Sequence, residues 1–431
     1  GLNLRWALNQ NGHIRYLKKL RYPIILILVV GASFLMLHNS NKETILKEEI
    51  QENTLSIYLE DEQINYIPEK DSGYTLDTEK SSCTNGVTLD FDTSTWSVKV
   101  NYSNYTNTNT DNTRVRCSLH FKKGTFVDSV VSCGNSNKGA GTCIKENVSL
   151  SDEIIEDGTV DNNLRFIGAN PSNYVWFNDE LWRIIGVMNN IEDSTGKKET
   201  RLKIIRDEPI GTYSWDNKPE GTGSSSSIYG SNDWSDSALQ QVLNSGAYWN
   251  RTSGTCPYGI NGTTTACDFS DAGLTESAKA MMGDAVWNLG SGDELDSPIE
   301  IYRAERGTDV YTGHATKWSG KVALMYPSDY GYATGGGAAG RSACLSYRLD
   351  RWDTYSDCYQ DNWLYNNRSK WTLTPSSSFE HYVLHIYLYG SVDNTYPYSP
   401  RYSIYPSVYL LASIKITGGD GSAENPYILA L

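Results

Sequence analysis

The 431 residues contain no Gly-x-Ser-x-Gly, no His-Glu-x-x-His and no Walker-type phosphate loop. The commonest serine-nucleophile, zinc-peptidase and nucleotide chemistries therefore have no motif to rest on. No two cysteines stand in the Cys-x-x-Cys spacing of zinc and dithiol redox sites. Basic residues are in deficit, 37 Lys and Arg against 51 Asp and Glu for a net charge of -14, which argues against nucleic acid as a partner. The Gly-rich stretch GYATGGGAAG at 331–340 lacks the Lys-Ser/Thr and following helix of a phosphate cradle, and reads as a loop. His381 and His385 have the spacing of two helical metal ligands, but in an extended strand they lie about 13 Å apart. Asp293, Glu294 and Asp296 read as a solvated loop. The sequence assigns no catalytic residue, no metal ligand and no cofactor.

Long apolar runs are missing too, with one exception. PIILILVVGASFLML follows the basic HIRYLKKLR, and this charge asymmetry predicts a signal anchor over 23–38 with residues 1–22 cytoplasmic and the rest outside the cell. No small-x-small cleavage site follows it. From Asn39 to Lys80 acidic residues outnumber basic ones 11 to 4, which predicts a solvated stalk over 39–80.

Eight cysteines suit an oxidising compartment. They fall into successive couples, Cys83 with Cys117, Cys133 with Cys143, Cys256 with Cys267 and Cys344 with Cys358. Neighbour pairing is the simplest of the 105 connectivities that eight cysteines allow. The segments VTLDFD, TWSVKVNY and RVRCSLHF alternate as strands do and predict a small all-β module over 81–123. Residues 124–163, dominated by Gly, Ser and Asn, read as a connector with its own disulfide loop. A domain over 164–431 follows, with a hairpin at 174–187, a strand at 201–207, and helices over 236–244 and 276–289 preceded by Ser235 and Thr275. KVALMY, HYVLHIYLY and PSVYLLASIKI supply later strands. The class expected is α+β.

Tyrosine is concentrated near the end, in HYVLHIYLYGSVDNTYPYSPRYSIYP from 381 to 406. Strand alternation places Leu384, Ile386 and Leu388 on a core face and His385, Tyr387 and Tyr389 on the opposite, exposed face. Tyrosine among Ser, Asn and Gly is the composition of a recognition surface, because its ring is large, rigid and amphipathic. The expected ligand-binding set is His385, Tyr387, Tyr389, Asp393, Asn394, Tyr396, Tyr398, Arg401, Tyr402 and Tyr405. Its partner would be a cell-surface glycan or protein.

The segments YVWFNDELWRIIGV, RLKIIRDE, WSGKVALMYPSDYGYAT, DNWLY, WTLTPSSS and PSVYLLASIKITGGDGSAENPYIL resemble a family of exported proteins of gut Bacillota, over roughly Cys83 to the C-terminus. The order of strand, two helices and strands is also similar to C-type-lectin-like domains of the formylglycine-generating-enzyme type, as in the variable proteins of diversity-generating retroelements. Those proteins diversify codons that never yield Lys, Glu, Gln, Met or Trp, and none of the five occurs from His381 to Ile414. Their usual Gly-x-Arg-Pro is replaced here by Ser403, Ile404, Tyr405 and Pro406, and the enzyme's catalytic cysteines have no counterpart. The resemblance implies a C-type-lectin-like C-terminal domain in an adhesive, membrane-anchored extracellular surface protein. Two other functions stay open: a formylglycine-generating-type or other extracellular enzyme, and a structural component of the cell envelope.

Overall fold

The computed structural model describes residues 27–28 and 53–431, apart from 71, 93–94, 107–113 and 220–229. The expected cytoplasmic segment lies outside the described residues. So does the expected anchor, except Ile27–Leu28, a short strand paired with Asn53 and Thr54. Among the described residues no helix is long and apolar enough to cross a membrane. The fold is α+β with strands dominant, and it divides into two compact units, Gly1–Ser132 and Cys133–Leu431.

The first unit is built on Arg116–Lys123, which pairs in parallel with Asn53–Leu59 and antiparallel with Tyr74–Leu76 and Ser82–Cys83. Its inward residues alternate: Cys117, Leu119 and Phe121 are buried between more exposed neighbours. Leu119 and Phe121 form a core with Ile57, Leu76 and Val98, and Cys117 packs with Val87 and Val115. Thr88–Asp92 and Ser97–Asn101 form a separate hairpin. The sheet thus begins inside the span expected to be a stalk. Acid count over 39–80 concealed a strand pattern in Asn53–Leu59, where Leu55, Ile57 and Leu59 alternate with polar residues and supply an apolar face.

The expected connector is also ordered. The chain passes from the first unit to the second within the helix Phe126–Asn135, and Ala140–Asn147 is a second helix that buries Ala140, Cys143 and Ile144. Glycine there serves close packing, not slack: a Cβ on Gly139 would come within 2.2 Å of the Ala412 carbonyl oxygen.

In the second unit a nine-stranded sheet runs in the order Val322–Ala323, Ser407–Tyr409, Lys198–Arg206, Glu180–Glu192, Tyr174–Phe177, Tyr427–Ala430 and Lys415–Gly418. The pair Ile154–Glu156 and Leu164–Phe166 adds to Glu180–Glu192. The expected hairpin is present, and Asn178 and Asp179 at φ 58° and 61° supply its tight turn. The C-terminal tail is a strand, Tyr427–Ala430, parallel to Tyr174–Phe177. The helix expected at 236–244 starts two residues later, at Ala238, with Ser237 accepting a hydrogen bond from Gln240 N as its cap. Thr275 caps its helix as expected, but that helix stops at Met281, and Ala285–Asn288 is a strand paired with Lys317–Gly320. The four cysteine couples are disulfides in the expected pairs.

Candidate functional site

The tyrosine-rich segment is built on a three-stranded sheet of Lys370–Pro375, Val383–Ile386 and Val392–Thr395. Register places His385 opposite Trp371 on one side and Asp393 on the other. Leu384 and Ile386 are fully buried, as strand alternation predicts, and Leu388 is half-buried. His385 overturns the expectation of an exposed face, at 2 % exposure. The strand is covered on both sides, and on the His385 side the cover is Trp371 and Tyr402, with ring centroids 6.2 and 4.3 Å away. Burial pushes the His385 imidazole down to about 3.

Tyr405 is likewise in the core at 3 % exposure, where its Oη accepts a hydrogen bond from Asn366 Nδ2 at 2.8 Å. Neither His385 nor Tyr405 is available to a ligand. Of the other expected residues, Tyr387, Tyr389, Asp393 and Arg401 are exposed, whereas Asn394, Tyr396, Tyr398 and Tyr402 are half-buried.

The aromatic rings form two rows. One runs from Trp371 to Tyr402, His385, Tyr387 and Tyr389, with successive centroids 4.5, 4.3, 6.2 and 5.3 Å apart. It begins in the core, where Trp371 is 1 % exposed, and ends on the surface, where Tyr389 is 60 % exposed. The second joins Phe379, Tyr382, Tyr396 and Tyr398, with spacings of 4.7, 4.6 and 5.3 Å.

The turn that carries Tyr387 and Tyr389 is held by residues the sequence did not single out. Tyr330 Oη donates to the Gly390 carbonyl at 2.7 Å and Tyr365 Oη to the Leu388 carbonyl at 3.0 Å. Gly390, at φ 97°, admits the Tyr359 ring so closely that a Cβ would lie 2.4 Å from it. Tyr359 sits on the helix Ser356–Gln360, which the Cys344–Cys358 disulfide ties back to Arg341–Ser346. The exposed pair therefore stands on a fixed turn.

A second feature lies in the core. Three charged side chains, Arg165, Lys203 and Asp329, meet in the core at 1 to 2 % side-chain exposure, with Arg165 Nη1 and Lys203 Nζ 2.6 and 2.5 Å from the two Asp329 oxygens. Burial pushes the Asp329 carboxyl up, but the two cations more than offset it and hold it at about 2. Arg165 Nε also reaches Asp157 at 3.0 Å. Beside this network opens a cleft of about 250 Å³, lined among others by Asp161, Asn288, Tyr302, Arg306, Tyr326 and Tyr409. Its signal in the sequence was the charge inside apolar strands, as in LRF and RLKII.

No family profile, curated protein or solved structure matches the chain. Among the described residues no group of three or more His, Cys, Asp or Glu is placed to hold a metal ion. The groups gathered at the tyrosine-rich end are aromatic rings and hydrogen-bonding side chains.

Proposed function

We propose that this chain is a membrane-anchored, extracellular surface protein whose C-type-lectin-like C-terminal domain binds a ligand through its tyrosine-rich region. The observation that carries the reading is the row from buried Trp371 to exposed Tyr389. A tyrosine loses little freedom on binding when its ring is already positioned, so rigid placement favours affinity. Ring faces flanked by the exposed Asp393 and Arg401 suit a glycan, with the apolar face of a sugar on the rings and its hydroxyls on the charged groups. The disulfides accord with an oxidising, extracytoplasmic setting.

The purified chain on a glycan array and a surface-protein array, beside a Tyr387→Ala, Tyr389→Ala double variant, tests this. Binding lost in the variant supports the reading. Binding only to protein targets, still lost in the variant, replaces the glycan by a protein ligand. Binding that survives in the variant refutes the tyrosine surface.

A further inference from the structure

We propose that the cleft beside the Arg165–Asp329–Lys203 network is a second, independent binding site, for a small hydroxylated carboxylate of the uronic-acid class. It does not rest on the tyrosine surface and shares no residue with it.

The cleft is assembled before any ligand arrives. Ser297 caps the helix Pro298–Glu305, with Ser297 and Glu300 bonding reciprocally, and this fixes the segment that carries Tyr302 and Arg306. The Arg306 guanidinium lies 3.4 Å from the centroid of the Tyr302 ring. Tyr302 Oη in turn donates to Asp161 Oδ2 at 2.6 Å and accepts from Asn163 Nδ2 at 2.9 Å. Arg306 Nη1 donates to the Tyr302 carbonyl and Glu305 Oε2 at 3.2 and 3.3 Å. Tyr326 is locked to the Asn288 backbone through its hydroxyl, which accepts from Asn288 N at 2.9 Å and donates to Asn288 O at 3.0 Å.

What the protein leaves unused indicates the ligand. Among the described residues, no hydrogen bond joins Arg306 Nη2, the Tyr409 hydroxyl or the Asn288 side-chain amide to another protein group, although Tyr409 is only 4 % exposed. The wall carries three cations, Lys198, Arg306 and Lys317, against two carboxylates, Asp161 and Glu192. Asp161 is already engaged by Tyr302, Arg306 and Asn190. Arg306 is paired with Asp161 and Glu305 through Nε and Nη1, so its Nη2 and the two lysines carry the positive character of the wall, and a guanidinium stacked on a ring offers that nitrogen to a carboxylate. The unused hydroxyl and amide suit sugar hydroxyls. The volume of about 250 Å³ admits a single ring.

The test is isothermal titration of the full chain with glucuronate and galacturonate, with glucose as the neutral counterpart. At least one uronate is expected to bind on the order of tenfold more tightly than glucose. Tyr409→Phe, which keeps the ring, should weaken uronate binding several-fold with an unchanged melt. Lys198→Gln with Lys317→Gln, both at exposed positions, should erase the preference over glucose. No heat of binding with any of the sugars overturns the site, and glucose binding as tightly as the uronates overturns the anionic class. Uronate binding left intact in both variants places the site elsewhere and overturns the assignment to this cleft.

Discussion

The rings of His385 and Tyr402 meet edge to face, 4.3 Å apart, and this contact joins the buried sheet to the tyrosine-rich surface. His385 Nδ1 is buried without a hydrogen-bond partner. The imidazole therefore acts as a neutral aromatic spacer between Trp371 and Tyr387.

A neutral buried histidine makes stability depend on pH. The folded value, about 3, lies below the ordinary 6.5, so between those limits the unfolded chain binds a proton that the folded chain refuses. The His385 contribution is complete above pH 6.5 and is lost as pH falls toward 3, by up to about 1.4 kcal/mol per pH unit. Denaturation measured between pH 6.5 and 4 should show a shallower loss of stability in His385→Gln than in the wild type. Equal slopes would show that the imidazole takes up its proton while folded.

Ile386 is fully buried in the middle strand of its sheet. Ile386→Leu should cost less than about 1.5 kcal/mol. Ile386→Asp should unfold the domain by placing an unpaired charge there. Circular dichroism melts decide it, and an unchanged melt for Ile386→Asp would mean the strand register is wrong.

Asp329 is the common acceptor of Arg165 and Lys203. Asp329→Ala leaves two buried cations with one carboxylate fewer between them, and should cost about 3 to 5 kcal/mol. Chemical denaturation gives the number. A cost below about 1 kcal/mol, the level of an exposed pair, would argue that water reaches the network.

The Cys344–Cys358 disulfide closes a separation of 14 residues, and replacing both cysteines by Ser should cost about 3 kcal/mol. Because Tyr359 packs on Gly390 from within this region, the same variant should bind ligand more weakly. Retained affinity with lowered stability would separate the disulfide from the surface.

Local features were legible in the sequence. The Asn178–Asp179 turn, the Thr275 cap and the four cysteine couples each depend on neighbours along the chain, the cysteines being separated by 10 to 34 residues. The remaining features depend on distant partners. The burial of His385 follows from Tyr402 and Trp371 arriving from other segments, whereas alternation alone assigned it to solvent. Asp329 pairs with Arg165 and Lys203 across 164 and 126 residues. In a strand such as RLKII a lysine reads as an exposed residue until its counter-charge is located. The strand Asn53–Leu59 was hidden for another reason: an acid count averages over the alternation that makes a strand.

The row from Trp371 to Tyr389 is tested most directly by one paired measurement on Tyr389→Ala, its affinity for the array ligand and its thermal unfolding. The residue is 60 % exposed, so stability should stay within about 0.5 kcal/mol of the wild type. Affinity should fall roughly thirtyfold, the loss of about 2 kcal/mol expected for a tyrosine at a binding hot spot. Unchanged affinity at unchanged stability would contradict the account, because the exposed end of the row would then contribute nothing to binding.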